Sequence, residues 1–159
     1  MHKKLCIQAC ILFLLLIAAF WWGEAGGGIE NIFRALLASL AFSSTALFLK
    51  IKWIYKLWIY LFSVVLMIAV FMFGQASMGK AFNNCVEHGE DVRVDLQKYF
   101  EAHHHYPNTL SELNNQTCNR ILRPSILSYL PVNQGYQLYF GDSFVGFTAN
   151  ESQSFEAHK

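Results

Sequence analysis

The sequence predicts a membrane protein, with an all-α region of three transmembrane helices followed by a small external α+β domain in which a β-hairpin covers a long helix. The chain of 159 residues is 54% apolar and 14% charged, whereas about 25% of residues are charged in an average soluble domain. Three long apolar stretches occupy the first half of the chain, and the composition becomes polar after residue 75.

The predicted spans are residues 5–22, 32–49 and 57–73, within a transmembrane domain at residues 1–74. The first and third spans contain no charged residue, and the second contains Arg34 near one edge, from where its side chain can extend to the interface. At about 1.5 Å per residue, each stretch roughly crosses a hydrocarbon core of about 30 Å. Three such stretches in succession favour membrane spans over buried helices of a soluble protein.

Charge placement predicts the direction of these spans. Lysines lie before the first span and between the second and third: Lys3, Lys4, Lys50, Lys52 and Lys56. The loop at residues 23–31 contains Glu24 and Glu30 but no lysine. By the positive-inside rule, the N-terminus is cytoplasmic and the domain at residues 75–159 is external.

A cleaved signal peptide at residues 1–25 is the alternative interpretation of the first apolar stretch. Lys3 and Lys4 precede it, and Gly23 and Ala25 are small enough for a cleavage site. However, secretory apolar cores usually have about 7 to 15 residues. The Trp21-Trp22 pair also fits poorly before a cleavage site, so a retained span is preferred.

Small residues recur every fourth position in the second span, at Ala35, Ser39 and Ser43. This spacing lets helix backbones approach closely, so we expect the face to contact the other spans or, in an oligomer, another copy of the chain. The alternative is that these residues simply fill a helix that faces lipid. No charged residue lies mid-span, which argues against a channel or proton path.

Apolar residues at helical spacing predict an amphipathic helix over residues 80–104, bent near Gly89. They are Phe82, Val86, Val92, Leu96, Tyr99 and Phe100. Because Pro107 disfavours helix at the preceding residue, this helix should end around 103–105. A short second helix follows, capped by Thr109 with Glu112 placed for a capping box. The stretch with Pro124 and Pro131 is predicted to be irregular.

Residues 136–140 and 143–149 alternate as two strands joined by Gly141-Asp142, a pair that suits a type II′ turn. This register pairs Phe140 with Ser143, Leu138 with Val145 and Tyr136 with Phe147, and places all six side chains against the long helix.

The opposite face of this hairpin presents Tyr139 beside Phe144. Exposed aromatic residues are frequent interface anchors, so this pair is the candidate partner-binding site. The alternative is that the two rings only stabilise the sheet locally.

Two of the four cysteines, Cys6 and Cys10, lie in the first span, and the other two, Cys85 and Cys118, lie in the external domain. An external compartment is oxidising, so Cys85 and Cys118 are predicted to form a disulfide. The chain-entropy model assigns such a bond roughly 3 to 4 kcal/mol. Two buried free thiols are the alternative, and the ligand spacing of a metal site is missing.

The chemistry-bearing residues predict no metal, no cofactor and no enzymatic activity. His103, His104 and His105 are consecutive at a helix end, so their side chains diverge and do not readily supply one tetrahedral site. No nucleophile motif such as G-x-S-x-G occurs. The net charge of +1 gives no support for a nucleic-acid partner.

Residues 80–149 resemble the headpiece of type II secretion pseudopilins and related type IV pilins. The resemblance rests on a long helix, then YFEAHHHYPNTLSEL at 99–113, an irregular loop, and GYQLYFGDSFVGFTA at 135–149. The sequence lacks the prepilin processing site, a glycine followed by phenylalanine with a glutamate five residues into an apolar segment. The resemblance therefore implies a pilin-like binding or scaffolding domain that stays on the membrane.

Together these features predict a non-enzymatic, multi-pass protein of a bacterial inner membrane. Its partners are the lipid bilayer and a protein of envelope assembly or secretion, bound by the periplasmic domain. The alternative function is a membrane immunity or inhibitor protein that neutralises a membrane-acting toxin.

Overall fold

The computed structural model describes the backbone of residues 2–26, 28–45, 52–113, 117–132, 135–142 and 144–158, and their side chains except those of 2–6, 43 and 45. The chain divides into two compact units, Met1–Met78 and Gly79–Lys159. Within the described residues the helices are α1 (His2–Gly23), α2 (Ile29–Thr45) and α3 (Trp53–His103), and α3 contributes to both units.

The predicted region of three transmembrane helices is wrong. Among the described residues, α3 is the one helix that is long and apolar enough to cross a membrane. The apolar part of α1, Ile7–Gly23, is shorter, and a span needs about 20 predominantly apolar residues. The 17-residue α2 begins with a polar turn in which Glu30 and Arg34 form an ion pair of 3.6 Å. Residues 46–49 of the predicted second span lie outside the described residues, and a multi-pass topology is not supported.

Two glycines allow α1 and α3 to approach each other closely in the first unit. A Cβ atom on Gly23 would lie 2.9 Å from the Cα of Gly74, and one on Gly74 would lie 3.0 Å from the Cα of Gly23. The next residue, Glu24, is fully buried, and its Oε1 accepts a 2.6 Å hydrogen bond from the Ser77 hydroxyl. Only glycine leaves space for the backbones here.

The small residues of α2 lie against α3. Ala35 and Ser39 are buried, as are Met67 and Phe71 of α3, and the four residues line an apolar groove of about 210 Å³. The Ser39 hydroxyl donates to the Leu36 carbonyl at 2.7 Å within its own helix. The side chain of Ser43, the third small residue of the predicted face, lies outside the described part of the chain.

The helix predicted at residues 80–104 is the second part of α3, and the predicted bend at Gly89 is wrong. The helix is continuous through Gly89, which is buried, and a Cβ atom there would lie 2.9 Å from Cε2 of Phe155. This glycine serves close packing of an aromatic ring rather than a break in the helix. Val86, predicted to face inward, is 55% exposed.

The end of α3 agrees with the effect expected from Pro107. The helix ends at His103, and His104 adopts a left-handed conformation with φ of 59°. A single 3₁₀ turn, Leu110–Leu113, stands where a short second helix was predicted. The Glu112 carboxylate accepts the N–H of Thr109 at 3.2 Å, which forms the glutamate half of the predicted capping box.

The described residues of the second unit contain a four-stranded antiparallel sheet rather than one hairpin. Its strands, in spatial as well as chain order, are β1 (Ser128–Val132), β2 (Gly135–Gly141), β3 (Gly146–Asn150) and β4 (Glu156–His158). Pro131 lies in β1, at an edge of the sheet, where the missing N–H of proline is tolerated. β1 and β4 were not predicted.

The predicted hairpin register is wrong by an even number of residues. Leu138 pairs with Ala149 instead of Val145, and Phe140 pairs with Phe147. A four-residue connection at 142–145 replaces the predicted turn at Gly141-Asp142. Because an even shift keeps each side chain on its face, the inward residues of β2 remain inward. Ser143 lies outside the described residues.

The core of the second unit lies between α3 and the sheet. Val92 and Leu96 of α3 pack with Tyr136, Leu138 and Phe140 of β2. Cys85 and Cys118 are buried in the same cluster and form the predicted disulfide, with their Cα atoms 5.0 Å apart. The disulfide therefore joins α3 covalently to the segment that precedes β1, while α3 and the sheet are held together by packing.

Candidate binding groove on the sheet

The face of the sheet that points away from α3 carries a groove of about 270 Å³. In β2 the buried residues Tyr136, Leu138 and Phe140 alternate with exposed Gln137 and Tyr139. This alternation follows from the pleat of a strand that is covered on one face only.

A row of side chains crosses three strands at the centre of the groove. Tyr139 of β2 pairs with Thr148 of β3, and Thr148 pairs with Glu156 of β4. Directly paired residues project to the same side of a sheet. A hydroxyl, an aromatic ring and a carboxylate therefore lie next to one another on the open face.

Two glycines support the Tyr139 ring. A Cβ atom on Gly146 would lie 3.1 Å from Cε2 of this ring, and one on Gly141 would lie 3.1 Å from its hydroxyl oxygen. Gly141 and Gly146 are themselves paired across the two strands. The ring thus lies over bare backbone, as aromatic residues do beside strand glycines, and remains 50% exposed.

Polar groups complete the lining of the groove. The Thr148 hydroxyl and Nε2 of His158 are 2.7 Å apart and share a hydrogen bond. The remaining lining residues are Gln137, Leu138, Ala149, Asn150, Gln153 and Ser154. The groove therefore offers a flat aromatic surface surrounded by hydrogen-bonding groups, and its described residues include no Ser or Cys nucleophile adjacent to a base.

One wall of the groove, residues 150–154, is held on α3 by the ion pair of Glu90 with Arg93, which is not among the predicted site residues. The guanidinium of Arg93 donates to the Asn150 carbonyl from Nε at 3.1 Å and from Nη2 at 2.9 Å. Its Nη1 donates to Glu90 at 2.6 Å, and the other oxygen of Glu90 accepts the Phe155 N–H at 2.9 Å. The i, i+3 spacing of Glu90 and Arg93 indicates a helix-surface pair, but not its link to the distant strand.

Electrostatics reinforce this attachment. Partial burial acts to raise the pKa of Glu90, but the Phe155 N–H and the adjacent Arg93 lower it below its ordinary value. Burial likewise acts to lower the pKa of Arg93, while Glu90 raises it above the ordinary value. Both groups are therefore charged across the physiological pH range, and the wall keeps its attachment there.

A cluster of three tyrosines, of which Tyr136 is buried and Tyr106 and Tyr129 are half-buried, lies on the inner side of the sheet. Tyr106 packs edge-on against Tyr136 with ring centroids 5.0 Å apart, and Tyr129 stacks on Tyr136 at 6.2 Å. Burial, with a smaller contribution from the Glu112 charge, raises the pKa of Tyr129 to about 12. The Tyr129 hydroxyl donates to the Pro107 carbonyl at 2.6 Å, so the cluster is structural.

The predicted partner-binding residues are not neighbours on one face. Tyr139 pairs with Thr148 in the groove, whereas Phe144 lies in the 142–145 connection and is 84% exposed. The register error accounts for this difference, because residue 144 lies in the connection once Gly141 pairs with Gly146. Groove residues Thr148, Glu156 and His158 were missed because β4 was not predicted.

The other predicted positions have local roles. His103 stacks on the Tyr99 ring at 4.2 Å and donates to the Tyr99 carbonyl, and His105 contacts the same ring edge-on. Cys10 is an exposed thiol, and the side chain of Cys6 lies outside the described residues.

Comparison with known proteins leaves the family open. No family model matches the chain, and no curated protein or solved structure matches it either. The likeness of residues 80–149 to pilin-type headpieces therefore stays a prediction.

Proposed function

We propose that this protein is a non-enzymatic accessory protein of a bacterial inner membrane, and that its second unit binds a protein partner in the periplasm through the groove on the sheet. The observation that carries the proposal is the half-exposed Tyr139 ring, supported by two glycines within a groove of polar side chains. Tyrosine in such a setting is a common anchor at protein interfaces, because it offers a large rigid surface with a polar tip.

The membrane location of this proposal rests on α3. Its first part is apolar, and Lys52 and Lys56 lie at its N-terminal end. Under the positive-inside rule that end is cytoplasmic, so the second unit is periplasmic. The Cys85–Cys118 disulfide supports the same direction, since such bonds persist in oxidising compartments.

A protein partner fits the groove better than a small molecule does. Small-molecule sites are usually concave and mostly apolar, and bury most of their ligand. The groove lies instead on an open sheet face whose lining combines hydroxyl, amide and charged groups with apolar ones. Attachment of its 150–154 wall to Arg93 keeps the surface in one arrangement before binding, which lowers the ordering cost of association.

Site-specific photocrosslinking in cells tests this function. A photoreactive amino acid at position 139 or 148 should give a discrete adduct with one protein, identifiable by mass spectrometry. The matched control is position 94, because Val94 is 52% exposed on α3 outside the groove. No adduct at either groove position, or the same adducts at position 94, would contradict the proposed groove.

A further inference from the structure

One end of the second unit is defined by the first residues of α3 within it. Phe82 contacts Phe140 and Phe147, with ring centroids 5.8 Å and 6.0 Å away. Tyr136, at the other end of β2, contacts Tyr106, which follows the C-terminal end of α3. β2 thus runs antiparallel to α3, and its C-terminal end lies where the chain enters the unit, here called the entry end.

The connection between β2 and β3 projects from this entry end. It continues β2 beyond Phe140, and the Asp142 carboxylate fixes it by accepting the N–H groups of Phe144 at 2.7 Å and Val145 at 2.8 Å. The Phe144 side chain is 84% exposed. A single exposed apolar ring is common on protein surfaces, so Phe144 indicates a contact surface only if other exposed apolar side chains accompany it.

A second segment with exposed apolar side chains, the loop at 119–125, lies at the same end. The loop at 119–125 starts at Cys118, which is bonded to Cys85 and whose N–H donates to Asn84 at 2.8 Å. It closes at Ile126, whose N–H donates to the Cys118 carbonyl at 3.1 Å, and then leads into β1 opposite the C-terminal part of β2. Within the loop, Ile121 is 73% and Leu122 44% exposed.

Positive charge accompanies these apolar side chains. Arg120 and Arg123 flank the Ile121-Leu122 pair and are half-buried, and Nε of Arg120 donates to the Pro124 carbonyl at 2.7 Å. Lys80 is exposed in the first turn of α3 within this unit. The nearby acidic group in the β2–β3 connection, Asp142, is engaged by two backbone N–H groups. Surfaces that bind the interface of anionic membranes combine exposed aromatic and aliphatic side chains with basic residues.

The chain enters this end of the unit through α3, whose earlier residues form the apolar segment of the proposed membrane anchor. Phe144, Ile121 and Leu122 therefore lie at the end of the unit that is joined to the anchor.

We infer that the entry end of the second unit docks on the surface of an anionic bilayer, with Phe144, Ile121 and Leu122 entering the interface and Arg120 and Arg123 contacting lipid phosphates. Docking would hold the unit against the membrane while the sheet groove faces a partner. The inference rests on the proposed membrane anchor, but not on the identity or existence of a groove partner.

Depth measurement with spin labels tests the docking. The full chain, with Cys6 and Cys10 replaced by alanine and the disulfide kept, is labelled at a single introduced cysteine in proteoliposomes of phosphatidylcholine mixed with phosphatidylglycerol. A label in F144C should be several-fold more accessible to oxygen, relative to a water-soluble nickel chelate, than a label in V94C. M72C, in the apolar segment, reports the anchor itself.

Charge dependence is tested in the same preparation. R120Q/R123Q, or vesicles of phosphatidylcholine alone, should shift the F144C label toward the V94C value. An aqueous label in F144C beside a lipid-exposed M72C label would overturn the docking and leave the anchor standing, whereas aqueous labels at both positions would overturn both. Dipolar broadening between F144C labels, with low access to both relaxants, would indicate contact with a second copy and would also overturn the docking.

Discussion

Neighbouring residues of β2 have opposite environments, and this difference determines what each contributes. Leu138 is fully buried against α3, whereas Tyr139 is half-exposed over Gly141 and Gly146. Core leucines contribute mainly to the free energy of unfolding, while exposed aromatic residues contribute mainly to binding. The two residues therefore form a matched pair for separating folding from function.

Truncation of Leu138 should destabilise the second unit by roughly 2 to 5 kcal/mol, since it removes buried methyl groups and leaves a cavity. Tyr139→Ala should leave the unit folded and weaken partner capture. Urea titrations of the full chain in detergent, with pulse-labelling hydrogen exchange of peptides from residues 79–159, measure the stability of this unit. If Tyr139→Ala unfolds the unit while Leu138→Ala does not, the assignment of the two faces is reversed.

Glu90 links the stability of the second unit to pH. Its folded-state pKa lies below the ordinary value of 4.5 because the Phe155 N–H and Arg93 outweigh partial burial. The contribution is therefore present above pH 4.5 and is lost as the pH falls through the lower, folded-state pKa. The Glu90 side chain is half-exposed, so the loss should not exceed about 1 kcal/mol.

Comparison of wild type with Glu90→Gln isolates this contribution. The variant should lose less stability between pH 5 and pH 3 than the wild type, as measured by the same urea titrations at each pH. Glu112, whose pKa is also lowered, is present in both proteins, so its effect cancels in the difference. Identical pH dependence in the two proteins would show that the contact between Glu90 and the wall contributes nothing to stability.

At this scale, the sequence predicts side-chain faces better than it predicts pairings. Alternation in β2 is sufficient to assign Tyr136, Leu138 and Phe140 to the core, because the strand period is two. The β2–β3 register depends instead on whether Gly141-Asp142 is the turn. In the structure Asp142 binds the N–H groups of Phe144 and Val145, and this local hydrogen bonding stabilises a longer connection.

Among the elements, α3 departs most from the prediction. Glycine lowers helix propensity by about 1 kcal/mol relative to alanine, so the sequence predicts a bend at Gly89. In the structure the helix continues through Gly89, because the Phe155 ring packs in the space that a side chain at this position would fill. That contact joins residues far apart in the chain, and helical periodicity alone carries no signal of it.

Two glycines of α3 should respond oppositely to alanine. Gly79 has open space around the position of a Cβ atom, so Gly79→Ala should stabilise the helix by up to about 1 kcal/mol. Gly89→Ala should destabilise the unit, because the new methyl group would displace the Phe155 ring from its site 2.9 Å away. Urea titrations of the two variants measure the difference, and equal stabilisation by both would contradict the packing role of Gly89.

The two sheet edges were missed for different reasons. β1 contains Pro131, which argues against a central strand, but an edge strand tolerates it. β4 consists of three exposed residues, too few to show alternation. Its pairing with β3 depends on the return of residues 150–155 along α3, held by Arg93 and Glu90, which are distant in sequence. The groove could not be predicted without these edges.

At the scale of the whole molecule, the chain becomes polar after residue 75, and its two compact units meet between Met78 and Gly79. Under the proposed membrane location, this change of composition separates a lipid-facing surface from an aqueous surface, which need different residues. The number of spans was overestimated because hydropathy alone does not distinguish a spanning helix from a shorter apolar helix such as Ile7–Gly23.

The central claim is that α3 carries the second unit across a membrane into an oxidising compartment, and reporter fusion tests this most directly. Alkaline phosphatase, which is active only in the periplasm, should be active when fused after Lys159 and inactive when fused after Lys52. A cytoplasmic fluorescent reporter at the same two positions should give the opposite pattern. Phosphatase activity after Lys52 but not after Lys159 would contradict the proposed direction, and with it the periplasmic groove.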